Sequence, residues 1–245
     1  MKISLDNIGQ IYDGKKVLSD ISFDVNEGEF ITLIGPSGCG KSTVFKIITG
    51  LEKNYTGNVR INGTDIEKYP GRLAYMPQND LLMDWRTLYK NAVLPMEIEK
   101  TDKKTMDEKI KKLLPEFRLL GEEHKYPYEL SGGMKKRAAL LRTFLVDSDI
   151  MLLDEPFGAL DAITRSEMQE FLLEVCESHR HTVLFITHDI DEAVYLSDRI
   201  IVLGKDPAVI KGEIEIKISK PRNTEVLLER EFLEYKKKIM DLLSF

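Results

Sequence analysis

A glycine-rich turn between a strand and a helix constrains this chain more than any other stretch. Residues 31–43 read Ile-Thr-Leu-Ile-Gly-Pro-Ser-Gly-Cys-Gly-Lys-Ser-Thr, and Gly35 to Ser42 fit the spacing G-x-x-x-x-G-K-[ST]. The apolar, β-branched run Phe30–Ile34 precedes the turn, and a helix-like segment from Ser42 to Thr49, closed by Gly50, follows it. In that setting the amides of Gly38 to Thr43 turn inward around a phosphate group. Glycines admit the close approach, and the helix N-terminus adds positive dipole. Lys41 would reach the β- and γ-phosphates, and the Ser42 hydroxyl would meet Mg²⁺. The bland alternative is a turn that contains Gly-Lys-Ser by chance; the strand and helix on either side argue against it. The prediction is a nucleoside-triphosphate pocket lined by Gly35, Pro36, Ser37, Gly38, Cys39, Gly40, Lys41, Ser42 and Thr43.

The 245 residues suffice for one large core, or a core with an appended subdomain. Lys and Arg total 35 against 41 Asp and Glu, and this net charge of -6 argues against a dedicated nucleic-acid binder. Cys39 and Cys176 lie far apart, one of them inside the phosphate loop, so reduced thiols and a cytosolic setting are expected. Alkylation of Cys39 is expected to block nucleotide. No basic-then-apolar leader and no run of eighteen apolar residues is found, so any membrane role should come through a partner.

Short alternating runs from Met1 to Val25, with Asp13-Gly14 between them, predict an antiparallel hairpin. Tyr12, just before the turn, reads either as a half-buried strand aromatic or as a stacking face for a base. Gly57 to Asn62 and Arg72 to Met76 are further strands, the latter leading to Pro77-Gln78. From Thr87 to about Leu145 the spacing turns helical, as at Met106, Ile110, Leu113 and Leu114. Within it, Ser131 is placed to N-cap a helix running to about Phe144, ahead of Gly132 and Gly133. Asp149 to Pro156 holds four apolar residues followed by Asp154-Glu155, which predicts a strand buried on both faces with carboxylates at its C-terminal end, where α/β ligands bind. Thr182 to Thr187 is a second such strand, ending in His188. Ile200 to Leu203 is a third, Val209 to Ile218 reads as a hairpin around Lys211-Gly212, and Leu227 to Leu243 as an amphipathic helix. His179 and His181 read as solvated.

In this order and spacing the motifs resemble the ATPase subunit of an ABC transporter over nearly the whole chain. The resemblance implies an α/β fold: a P-loop NTPase (RecA-like) core with an antiparallel β subdomain (1–86 and 146–245) and an inserted α-helical subdomain (87–145). It implies that Tyr12 stacks on adenine and that Gln78 touches Mg²⁺ and the attacking water. Asp154 holds Mg²⁺, Glu155 polarises the water as general base, and His188 contacts the γ-phosphate. Ser131, Gly132 and Gly133 cap ATP on the opposite subunit, and Asp161, in Ala159-Leu160-Asp161, speaks to that subunit. The chain should therefore work as a head-to-tail dimer that ATP closes and hydrolysis opens. Met134 stands where the family usually has Gln.

Asn79 to Arg86, with Thr87-Leu88, and the stretch Glu155 to Arg165 are similar to importer ATPases of the nitrate/sulfonate/taurine group, which also handles vitamin precursors. This implies two permease subunits, an extracytoplasmic substrate-binding protein acting indirectly, and a place on the cytoplasmic face of the membrane. Trp85 reads as an interface anchor or as a core aromatic of the insert, and Met83-Asp84 replace the usual proline. The alternatives are a soluble ABC ATPase of repair, translation or cluster assembly, and a small-molecule kinase with the same phosphate loop.

Overall fold

The structure is a computed structural model that describes residues 1–158 and 160–244. In chain order the strands and helices begin β1 (Ile3–Tyr12), β2 (Lys15–Val25), β3 (Phe30–Ile34), α1 (Lys41–Ile48), β4 (Thr56–Ile61), β5 (Thr64–Asp65) and β6 (Ala74–Met76). Four helices follow: α2 (Leu88–Ala92), α3 (Leu94–Ile98), α4 (Lys103–Glu116) and α5 (Gly132–Phe144). The chain continues through β7 (Ile150–Asp154), α6 (Ala162–His179), β8 (Thr182–Thr187), α7 (Ile190–Leu196), β9 (Arg199–Leu203), β10 (Ile210–Glu215) and α8 (Arg230–Leu243). Two compact units result, one formed by Met1–Gly71 with the chain from Arg180 onward, the other by Arg72–His179.

In the first unit an antiparallel sheet runs β2-β1-β4-β5. Alternation puts Ile3, Leu5, Ile8, Ile21, Phe23 and Val25 into the core. The β1–β2 turn is the expected Asp13-Gly14, with φ of 48° and 78°, the pair of left-handed positions that a two-residue hairpin requires. Separately, β3 lies between β8 and β9, parallel to both, and β10 closes antiparallel on β9. Every residue of β3 and β8 is buried, which is why both read as unbroken apolar runs.

The expected hairpin around Lys211-Gly212 is not there. β10 continues through those residues with a register shift between Ile210 and Gly212, and the turn lies before it, closed by the Gly204 N–H donating to the Val209 carbonyl at 2.8 Å. Gly212 serves packing instead, since a Cβ there would sit 2.8 Å from Leu242 of α8. That helix is amphipathic as expected and buries Phe232, Tyr235 and Ile239.

Arg222 secures the C-terminal end of α7. Its buried guanidinium donates to the carbonyls of Val194, Tyr195 and Ser197 at 3.1, 2.9 and 2.8 Å, and to that of Ile218. The first three are carbonyls of a helix end, and a cation there also opposes the helix dipole. Arg222→Ala should lower stability by about 3 kcal/mol and the melting temperature by roughly 6–12 °C. Thermal unfolding checks this, and a shift below about 2 °C would contradict it.

In the second unit β6 and β7 pair in parallel, and α5 packs against α2, α6 and β6. Phe117 lies edge-on to both Phe144 and Phe171, at 5.5 and 5.3 Å between ring centres. His179 is exposed, as expected, and is also partnered: its Nε2 lies 2.7 Å from Glu116 Oε1, and its ring packs edge-on against Phe144. Three helices here are N-capped by side chains, Thr87 on α2, Asp102 on α4 and the expected Ser131 on α5. Where Met83-Asp84 replace proline, fully buried Asn91 holds the turn by accepting from Met83 N and donating to the carbonyls of Met83, Arg86 and Thr87. Trp85, at the tip of that turn, is 77% exposed, so it is no core aromatic. Among the described residues no helix is long and apolar enough to cross a membrane.

Candidate nucleotide site

The phosphate loop is built in the first unit. Gly38 and Gly40 take φ of 73° and 114°, which L side chains avoid, and α1 starts at Lys41 with no side chain capping it. Uncapped, its first amides stay available to an anion. The loop closes on itself through the Cys39 N–H to the Pro36 carbonyl, 3.2 Å. Gly35 is forced by crowding, since a Cβ would lie 2.9 Å from the Leu203 carbonyl oxygen. Lys41, 5% exposed, folds its ammonium over the loop and donates to the carbonyls of Gly35 (2.7 Å) and Pro36 (3.1 Å). Ser37 and Ser42 are exposed and Thr43 is half-buried.

Cys39, whose alkylation is expected to block nucleotide, is buried. It is 2% exposed, and burial pushes its thiol pKa up against the opposing pull of Lys41. A higher pKa means less thiolate at any given pH, and only the thiolate attacks. Near neutral pH the folded protein should react with a thiol reagent at least about tenfold more slowly than free cysteine, faster as pH rises, and with two thiols only after unfolding. One thiol titrating at once in the native protein would contradict this.

Two further expected residues belong to this unit. Tyr12 ends β1 with its ring 38% exposed, and its hydroxyl donates to Glu52 Oε2 at 2.6 Å. Burial, then the bond to Glu52, raises the Tyr12 pKa. Glu52 is itself fixed, its Oε1 accepting from the Asn54 N–H at 2.8 Å. His188 follows β8 with an exposed side chain. Its corner is rigid: Thr187 donates to Glu192 at 2.5 Å, and Asp189 caps α7 through the amides of Asp191 and Glu192.

The second unit brings together Gln78, Asp154 and Glu155. β7 ends in Asp154, 4% exposed, beside Tyr75, whose hydroxyl is pushed up to about 12 by burial and by that carboxylate. Glu155 then takes φ 45°, a left-handed conformation rare outside glycine, and Gln78 Nε2 donates to its Oε2 at 3.2 Å. Ser131 accepts from the Met134 N–H at 3.3 Å and leaves Gly132 exposed. Gly133 is set by packing, as a Cβ would meet Thr164 at 2.8 Å. Asp161 accepts from Thr164 N, and bonds from the Thr164 backbone and side chain hold its carboxyl below the usual range. Ala159 lies outside the described residues.

Not anticipated were Lys136, Asp80 and Arg142, which fasten the loop after β6 to α5. The one signal in the sequence is a lysine on the buried stripe of a helix, in register with Leu140 and Thr143.

A phosphate cradle with a buried lysine is shared by many nucleotide enzymes; the capped Ser131-Gly132-Gly133 helix is not. Residues 18–158 match the family model described as ABC transporter. The chain belongs to the ABC transporter family. The aliphatic sulfonates import ATP-binding protein SsuB of Bacillus cereus is 40% identical over 249 residues, covering 100% of this chain and 97% of that one. SsuB of Bacillus subtilis is 40% identical over 223 residues, covering 90% and 86%. An uncharacterised ABC transporter ATP-binding protein of Methanocaldococcus jannaschii is 41% identical over 248 residues, 100% and 92%. Among solved structures, a dimeric bacterial ABC transporter cassette superposes with TM-score 0.76 at 27% identity, covering 88% of this chain and 99% of that one. A second, equally similar, shows a post-hydrolysis state with ADP and Pi. This ABC protein is thus an ATP-binding and ATP-hydrolysing subunit with the P-loop NTPase fold.

Proposed function

We propose that the chain is the motor of an importer, working on the membrane's cytoplasmic face as a head-to-tail pair docked on two permease subunits, with an extracytoplasmic binding protein delivering the cargo. The observation that carries this reading is the division of labour within one chain. An uncapped phosphate cradle stands at Gly35–Thr43, and a second, exposed helix N-terminus with two glycines stands at Ser131–Gly133. The dimeric cassette and the importer names of relatives at about 40% identity support it. The cargo in those names, aliphatic sulfonate, is the first to test, ahead of nitrate, taurine or a vitamin precursor. Exposed Trp85 suits an anchor in the permease contact. Nucleic acid is not a partner in this reading.

For the chemistry, Tyr12 stacks on the base, Gly35 to Thr43 hold the phosphates, and His188 meets the γ-phosphate. Ser42, Gln78 and Asp154 offer a hydroxyl, an amide and a buried carboxylate, the hard oxygen donors that suit Mg²⁺. Bound there, the ion would offset phosphate charge. Glu155 takes the proton of the attacking water as the new P–O bond forms and the bond to ADP breaks, with Gln78 steadying the carboxylate. Ser131, Gly132, Gly133 and Asp161 face the partner's nucleotide.

Light scattering tests the pairing. The Glu155→Gln variant should be a monomer of 28.1 kDa without nucleotide and a dimer with ATP. A monomer under both conditions would overturn the head-to-tail reading.

A further inference from the structure

In the second unit, α5 begins at Gly132-Gly133, the signature glycines of the ABC family, and, one turn later, presents Lys136 to the loop after β6. The side chain of Lys136 is only 8% exposed, and its ammonium makes two contacts there. It ion-pairs with Asp80 Oδ1 at 2.7 Å and donates to the Gln78 carbonyl at 3.1 Å. Arg142, further along α5, donates to the carbonyls of Asp80 and Leu81. The Gln78 side chain donates to Glu155 at 3.2 Å. A cavity of about 400 Å³, lined by Gln78, Asp80, Gly132, Lys136 and Gly158, adjoins these groups, so the loop has room to move once released.

We propose that Lys136 is a positioning residue for hydrolysis: held by Asp80, it fixes the Gln78 backbone so that the Gln78 amide stays on Glu155. This rests on the reading of Glu155 as the group that activates water. The consequence is a link within one chain between its signature helix and its own catalytic carboxylate. Movement of α5 on meeting the partner's nucleotide is transmitted through Lys136 to Gln78, and so to Glu155. An ion pair suits such a link better than an apolar contact, because a buried charge tolerates no half-made partner.

The test is steady-state hydrolysis of Mg-ATP by the full-length protein, with melting temperatures measured in parallel. Lys136→Met should lower kcat about 10–100-fold, with KM for ATP unchanged. It strands the Asp80 carboxylate, so its melting temperature should fall as well. Lys136→Met/Asp80→Asn removes both charges. Its melting temperature should recover while kcat stays low, because neither new side chain holds the Gln78 carbonyl. Combining Lys136→Met with Gln78→Ala should be no worse than the poorer single variant. Recovery of kcat together with stability in the charge-free pair, or losses that multiply with Gln78→Ala, would show a purely structural ion pair and overturn the proposal. Glu155→Gln in the same assay separates the premise from the link, since wild-type turnover there would remove Glu155 from its role and the proposal with it.

Discussion

Replacing Glu155 by glutamine is expected to stop hydrolysis and leave ATP binding intact. The side chain keeps its shape and its place after β7, but an amide cannot take a proton from water, and loss of a general base lowers turnover about 10²–10⁴-fold. Its neighbours make the change selective. Asp154 remains buried against Tyr75, and the strained φ of 45° at residue 155 is a backbone property that survives the substitution. Phosphate release and equilibrium ATP binding on the same preparation check it. Turnover at the wild-type rate would remove Glu155 from the base role, and lost ATP binding would assign it to nucleotide affinity instead.

Lys41→Ala should weaken ATP binding about 10–100-fold, the usual worth of a charge-assisted contact to phosphate. The ammonium sits over the Gly35 and Pro36 carbonyls, already drawn into the loop with almost no exposure. It needs only a short shift to exchange those oxygens for phosphate oxygens. Removing it also leaves two carbonyls without their donor, so the melting temperature belongs beside the binding isotherm. A folded variant with unchanged ATP affinity would contradict the assignment of the loop.

Features set by neighbours in sequence were legible, because their chemistry is local. Asp13-Gly14 makes its hairpin through φ values that few other pairs adopt, and Ser131 caps α5 through an amide three residues on. The apolar runs Phe30–Ile34 and Thr182–Thr187 read as buried strands and are buried throughout. Illegible were the pairings that only folding creates. Tyr12 and Glu52 are 40 residues apart, Lys136 and Gln78 are 58 apart, and nothing in either stretch names its partner. Gly212 misled because a glycine that admits Leu242 looks, in sequence, like a glycine that turns the chain. The burial of Cys39 was not legible either, since its place in an exposed motif hides that its own thiol points into the protein, near Gly35. The partners of His179, Glu116 and Phe144, come from other helices and are likewise not named by its own stretch.

Co-purification with the membrane tests the importer account most directly. Tagged Glu155→Gln protein, charged with ATP, is recovered from solubilised native membranes and its companions are identified by mass spectrometry. The account predicts a polytopic permease, with an extracytoplasmic binding protein alongside whose ligand then names the cargo. Recovery of soluble partners alone, with no permease, would contradict it and favour an ABC ATPase of repair, translation or cluster assembly.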